Sequence, residues 1–253
     1  MEQKTIMITG ASSGFGAACA EIFSKNGYRI ILNARRKDKL VELASSLKEK
    51  YHADCLILSY DVRNKSSVYE AASSLPKAWQ NIDILINNAG LAAGRDWFDE
   101  ADIQDWENMI QTNVLGLLYV SHSFMPYIMK GQQKHIINIG SVAAKDVYER
   151  GNVYCASKAA VDSISKSMRI DLLQHNIKVT AIHPGAAETE FSLVRMKGDV
   201  EKAKAVYEGY HALDAIDIAN IIYYTATLPA HVCINDLVVT CTAQANGFYT
   251  HKS

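Results

Sequence analysis

No long apolar run, no excess of one charge and no paired-cysteine motif stands out in this sequence, and each shortage removes a class of function. No segment approaches the roughly 20 apolar residues that cross a bilayer, so a membrane-spanning protein is not expected. Basic residues number 26 against 27 acidic ones, a formal net charge of −1. That balance offers no attractive field to nucleic acid or to an anionic membrane surface. Trp79, Trp97, Trp106 and the tyrosines make no stacking platform at fixed spacing, and no basic stripe accompanies them. The five cysteines, Cys19, Cys55, Cys155, Cys233 and Cys241, show neither CxxC nor metal-ligand spacing, which reads as reduced thiols. Cys155 adjoins Tyr154 and reads as a small packing residue. The histidines lack a ligand pattern, so no metal site is expected. Met1-Glu2-Gln3-Lys4 leads directly into a β-like run and not into a signal-peptide apolar region. Repeats and low-complexity stretches are also missing. What remains is the expectation of a cytoplasmic enzyme that handles a small molecule.

Against these shortages stands a regular alternation of strand and helix. Thr5 to Ile8 reads as a buried strand, and a glycine-rich loop then opens a helix that stops near Asn26-Gly27. Tyr28 to Leu32 is the second strand. A helix from about Lys37 to Lys50, with Leu40, Leu43, Ala44 and Leu47 at helical spacing, leads to the third strand at Cys55 to Leu58. Helix Ser66 to Leu75, strand Ile82 to Ile86, a long helix from about Gln104 to Met129 and strand Ile136 to Ile139 continue the pattern. A helix bearing Tyr154 runs towards Gln174, strand Lys178 to Ile182 ends at Pro184-Gly185, and helical pieces lead to a seventh strand at Leu237 to Thr240. Such alternation predicts a mostly parallel sheet covered by helices on both faces with right-handed crossovers. The fold class is therefore α/β: one doubly wound Rossmann-type domain over 1–253, seven-stranded, with a substrate lid at about 186–212.

The first loop carries Gly10, Gly14 and Gly16 in G-x3-G-x-G spacing within TGASSGFG. Gly10 permits a tight turn, Gly14 lets the backbone approach a phosphate, and Gly16 permits close packing where the helix starts. Ser12, Ser13 and the neighbouring Phe15 complete a dinucleotide cradle at a helix N-terminus. The end of the second strand lacks the Asp or Glu that would take the ribose hydroxyls of NAD and has Arg35 and Arg36 instead, which points to a 2′-phosphate and so to NADP(H). The alternative is that both arginines merely begin a solvated helix face. Asp61-Val62 is placed to meet an adenine edge, unless Asp61 is a turn or capping residue. Asn88, Ala89 and Gly90 follow the fourth strand, where amide bonds and close backbone approach suit the middle of the cofactor.

Tyr154 and Lys158 are four residues apart, on one face of a helix. An ammonium beside a phenol favours the phenolate and draws tyrosine from its usual ~10 towards useful acid/base behaviour.

TGASSGFG from Thr9, NNAG from Asn87, Asn113, Ser141, YCASK from Tyr154 and the Pro184-Gly185 pair, in this order, resemble the short-chain dehydrogenase/reductase family over essentially the whole chain. The resemblance implies an oxidoreductase. Tyr154 would then be its general acid or base, with Lys158 tuning the tyrosine and binding the nicotinamide ribose. Ser141 would donate to the carbonyl oxygen and Asn113 would hold a water that links Lys158 to solvent. Otherwise Asn113 makes a helix kink or an interhelical bond. Pro184, Gly185 and Thr189 resemble the segment lying against the nicotinamide, although Thr189 also suits a helix cap. The strings IDILINNAGLA, HIINIGS, GNVYCASK, TEFSLVRMKGD and LPAHVCIN resemble the NADP-dependent 3-hydroxy acid dehydrogenase branch. A carboxylate substrate calls for a guanidinium fork, for which Arg195 is the first candidate, then Arg150 and Lys145. The resemblance also implies a homo-oligomer, a tetramer by family habit. Three departures stand against it: a more charged Val142-to-Arg150 stretch, a Pro184-to-Glu190 stretch one residue shorter and without an extra glycine, and His183 where an acidic residue is expected. Another NADPH-linked carbonyl reduction, of a ketoacyl thioester, sugar or xenobiotic aldehyde, and a silent NADPH-binding module are the competing readings.

Overall fold

In the computed structural model, which describes residues 3–253, seven parallel strands form one sheet in the order β3-β2-β1-β4-β5-β6-β7. They are β1 (Thr5–Thr9), β2 (Arg29–Ala34), β3 (Cys55–Ser59), β4 (Ile84–Asn87), β5 (His135–Ile139), β6 (Lys178–Pro184) and β7 (Asp236–Val239). Nine α-helices connect them among the described residues: α1 (Gly14–Lys25), α2 (Lys37–Tyr51), α3 (Lys65–Ser73), α4 (Ile103–Ile110), α5 (Leu117–Ile128), α6 (Asn152–Asp171), α7 (Glu190–Arg195), α8 (Val200–Ala205) and α9 (Ala215–Thr227). The doubly wound expectation holds. The chain turns back at the middle of the sheet, where β1 has β2 on one side and β4 on the other.

Strand periodicity builds two cores. Ile6, Ile8, Ile30 and Leu32 face one way, onto Phe23 of α1, Leu40 of α2 and Ile222 of α9. Met7 and Ile31, one residue out of step, face the other way onto Val68 of α3 and Phe124 of α5. Both faces being covered, the strands read as unbroken apolar runs.

Local signals set most boundaries. Gly27, at φ +79°, ends α1 where the amides of Gly27 and Tyr28 bond to Ser24 and Phe23 carbonyls. Asp214 and Asp217 form a reciprocal capping box at the start of α9. The single long helix expected over 104–129 is a correction: it is α4 and α5 joined by a wide π-turn at Gln111–Gly116. No described helix is long and apolar enough to cross a membrane.

His135 is fully buried in β5, its Nε2 2.8 Å from Thr180 Oγ1, and burial with Lys178 nearby holds its pKa down at about 3. The unfolded chain takes up this proton from pH ~6.5 downwards, whereas the folded chain resists until about 3. Stability is therefore lost as pH falls through that window, by about 1.4 kcal/mol per pH unit. Urea unfolding between pH 6 and 4 should show this slope in the wild type and a shallower one in His135→Gln. Identical slopes would exclude His135 as the source.

Candidate active site

The loops at the carboxyl ends of the strands enclose a cavity of about 1520 Å³, larger than the ~300–1,000 Å³ usual for one small ligand. Of the residues expected at the cofactor, all line it except Gly16, which lies beneath. Ser141, Arg150 and Arg195 line it too, while Asn113 and Lys145 do not.

The glycine loop is built for close approach. Gly10 and Gly14 have φ of +65° and +53°, where side chains are strained. A Cβ on Gly16 would run into the Gly10 carbonyl oxygen and lie 2.7 Å from Asn88 Nδ2 and 2.9 Å from Ala11 Cα. Thr9 Oγ1 accepts from the Asn88 and Ala89 amides at 3.0 Å each, tying this loop to the one after β4. Asn88 spends its own side-chain amide on the Thr9 and Gly10 carbonyls, at 2.9 and 3.2 Å, so it braces the cradle. Ser13 places no side-chain cap on α1, so the first amides of that helix stay free for an anion. A dinucleotide phosphate fits this arrangement.

At the adenosine end Arg36 Nη2 donates to Ser12 Oγ and Ser13 Oγ, both at 3.1 Å, and to Glu190 Oε2 at 3.0 Å. Arg35 Nη1 stands 3.9 Å from Asp61 Oδ2. The turn alternative describes the Asp61 side chain. It accepts from the Arg63 amide at 3.0 Å and takes the Arg63 guanidinium through both oxygens.

Ser141, at the end of β5, and Tyr154 and Lys158, on α6, are all buried. Tyr154 is hydrogen-bonded with the Ser141 hydroxyl, whose oxygen accepts from the Ala143 amide at 3.1 Å. Lys158 Nζ donates to the Ile139 carbonyl at 2.9 Å. The expected electrostatics need correcting. Burial pushes the Tyr154 phenol up, nearby Tyr148 adds to this, and the Ser141 bond and the Arg195 charge only partly offset it. Burial likewise brings Lys158 down to about 8. Burial thus favours the protonated form of Tyr154, and Arg195 is a cation that acts against it from the ring side. Asn113, buried in the π-turn, exchanges two bonds with the Leu91 backbone, at 2.8 and 2.9 Å, and donates to Ser157 Oγ at 3.0 Å. The bracing alternative therefore accounts for its side-chain bonds. A Cβ on Gly90 would lie 3.3 Å from Asn113 Oδ1 and 3.4 Å from Lys158 Nζ, so these two groups meet over a bare backbone.

Arg195, the last residue of α7, reaches back across the cavity. Its Nη1 donates to Tyr148 OH at 3.0 Å, and its guanidinium carbon stands 5.3 Å from the Tyr154 ring centre and 5.5 Å from that of Tyr148. Its Nε is buried with no hydrogen-bond partner.

The family model for short chain dehydrogenases matches residues 4–198. The chain belongs to that family. It is 42% identical to the NADP-dependent 3-hydroxy acid dehydrogenase YdfG of Salmonella typhi, over 98% of this chain and 99% of that protein. It is also 42% identical to sulfoacetaldehyde reductase 2 of Chromohalobacter salexigens, over 95% of each chain. A solved closed form of serine dehydrogenase complexed with NADP+ superposes with a TM-score of 0.90 at 40% identity, covering 98% of this chain and all of the other.

Within this short-chain dehydrogenase, Lys145 and His183 build a second, partly buried charged cluster beneath Ser141. Lys145 Nζ bridges Asp162 and Asp236 at 3.1 and 2.8 Å, which takes it away from the cavity and removes it as a substrate ligand. His183 packs directly under Gly140, its Nδ1 3.1 Å from the Ser141 carbonyl and its Nε2 3.4 Å from Asp236. Burial, then Lys145, lowers the His183 pKa. Asp162, His183 and Asp236 come close enough to suggest a metal site, but the Lys145 ammonium already supplies the positive charge between the two carboxylates. Arg150 lines the cavity at φ +57° with its guanidinium 4.3 Å over Trp97. Sequence reasoning gave no role to Tyr148, which braces Arg195, or to Phe191, whose ring lies 5.8 Å from that of Tyr154. Neither has a motif, and only the folded lid brings them in.

Proposed function

We propose that this dehydrogenase moves a hydride between NADP(H) and a small 3-hydroxy acid or its semialdehyde, with Tyr154 as general acid and base. The named relatives, one acting on 3-hydroxy acids and one on a sulfonate-bearing aldehyde, support an anionic substrate. The observation that carries the reading is Arg195, a guanidinium at the wall of the cavity beside Tyr154, with a buried N–H still to be satisfied. An unsatisfied buried donor is costly, and a carboxylate can take two guanidinium N–H groups together.

When bound, NADP(H) supplies or takes up the hydride. In the reductive direction Tyr154 delivers its phenolic proton to the substrate oxygen as the carbonyl carbon is reduced. In the oxidative direction it recovers that proton from the alcohol. Burial keeps Tyr154 protonated, the form that reduction needs. Ser141 donates to the same oxygen and stabilises the charge that grows there. Lys158 would hold the cofactor's ribose and resupply the proton, and Asn113 fixes the backbone facing Lys158. Pro184, Gly185 and Thr189 shape the wall that would face the nicotinamide, with Thr189 also capping α7 through the Phe191 amide at 3.2 Å. Ala89, Gly90, Asp61 and Val62 line the remainder of the cofactor channel.

Residues 186–212 act as the lid. They cross the cavity and are fastened on its far side, where Arg195 O accepts from the Gly94 amide at 3.0 Å and Lys197 pairs with Asp105 at 2.7 Å. The reading extends to a homo-oligomer in the cytoplasm, supported by exposed apolar side chains such as Ile110, Leu118 and Ile170 on the outer helices.

NADPH oxidation should be fastest with short semialdehydes among a panel of aldehydes, and NADP+ reduction with 3-hydroxy acids. Arg195→Ala should raise KM for the acid roughly 10- to 100-fold, the worth of a charge-assisted bond, and leave the KM of a neutral aldehyde of the same length unaffected. Unchanged acid kinetics would reject the assignment of Arg195.

A further inference from the structure

Arg36 and Ser13 converge on one carboxylate at the adenosine end of the cavity, with Ser12 bonded to the same guanidinium. Arg36 binds Ser12, Ser13 and Glu190 through a single Nη2 nitrogen, and Ser13 hydrogen-bonds the same Glu190 carboxylate. Glu190 comes from a segment 154 residues away, where it opens α7 directly after Thr189. Two serine hydroxyls and a guanidinium are the chemistry of a phosphate seat, and the anion on it is supplied by the chain itself.

Resting on the NADP(H) reading above, we infer that Glu190 is a specificity-determining residue: its carboxylate sits where Arg36, Ser12 and Ser13 would receive the cofactor's 2′-phosphate, and it is displaced when that phosphate arrives. The side chains of Arg36 and Glu190 are about half open to solvent, at 47% and 55%, so an incoming ligand can reach the pair. A phosphate brings a larger charge and more acceptor oxygens than the carboxylate it replaces, so the exchange favours the phosphorylated cofactor. A cofactor with only a ribose hydroxyl has no anion to offer Arg36 and leaves the pair in place. Glu190 thus sets how much of the 2′-phosphate's affinity is realised, while the pyrophosphate contacts are common to both cofactors.

Fluorescence titration with NADPH and NADH tests this in the full-length wild type, Glu190→Gln, Arg36→Ala and the double variant. Glu190→Gln should tighten NADPH about 5-fold, which is about 1 kcal/mol, and change NADH less than about 2-fold. In the Arg36→Ala background the same substitution should give no selective gain. Equal tightening of both cofactors, no tightening of either, or a selective gain that survives loss of Arg36 would each overturn the inference. A wild type that binds NADPH and NADH equally would instead sink the NADP(H) reading, and the two failures are read from different proteins.

Discussion

Tyr154→Phe is expected to lower kcat by roughly three to four orders of magnitude, the upper range for loss of a positioned acid, and to leave NADPH affinity within about twofold. The substitution removes one oxygen. The ring remains to pack at 5.8 Å from Phe191 and to face the Arg195 guanidinium at 5.3 Å, so the lid keeps its seat. Steady-state rates in both directions together with a NADPH fluorescence titration separate the two quantities. Turnover within tenfold of the wild type would defeat the proton-transfer role, because no other described hydroxyl pairs with Ser141 at that wall.

Gly16→Ala should have the second large effect, by a different route. The added methyl has no room between the Gly10 carbonyl, Asn88 Nδ2 and Ala11 Cα, so either α1 shifts away from β1 or the cradle opens. NADPH affinity should fall at least about 100-fold, and overpacking of roughly 1–3 kcal/mol should lower Tm by roughly 2–12 °C. Gly27→Ala is the matched control: nothing lies within 4 Å of its new Cβ, although φ is +79°. It should cost stability through backbone strain alone and leave the cofactor untouched. A Gly16→Ala protein that binds NADPH as the wild type does would show that the cradle is looser than this packing implies.

The parallel sheet was legible because β1, β2 and β4 are buried on both faces and separated by amphipathic helices, so periodicity and turn residues agree. The loop residues were legible because each follows a strand, and a parallel sheet gathers those ends on one edge. Side-chain partnership was not. Asp61 lies next to the channel, yet Arg63, two residues on, claims both of its oxygens. Lys145 stands in the right loop for a substrate ligand, yet Asp162 and Asp236, distant in sequence, capture it. Spacing puts Lys158 on the Tyr154 face but does not reveal the Ile139 carbonyl that accepts its hydrogen bond, nor a depth of burial that outweighs neighbouring charge at Tyr154. Arg36, Ser12 and Ser13 were visible singly, and Glu190 carried no signal of its own. Their convergence depends on how the lid crosses the sheet edge.

The π-turn at Gln111–Gly116 bears on how this chain tolerates change in length. The wide turn holds one residue more than the same stretch of α-helix needs, so deleting one position there lets the ladder close as a regular helix and keeps the phase of α5. Val120 and Phe124 of α5 would then stay packed among Trp79, Leu85 and Ile128, while Asn113 would lose its grip on Leu91. Point substitutions there act locally. A single-codon deletion would instead spare the helix that supports the sheet and remove the amide that supports the site, so the extra residue belongs to the site and not to the fold.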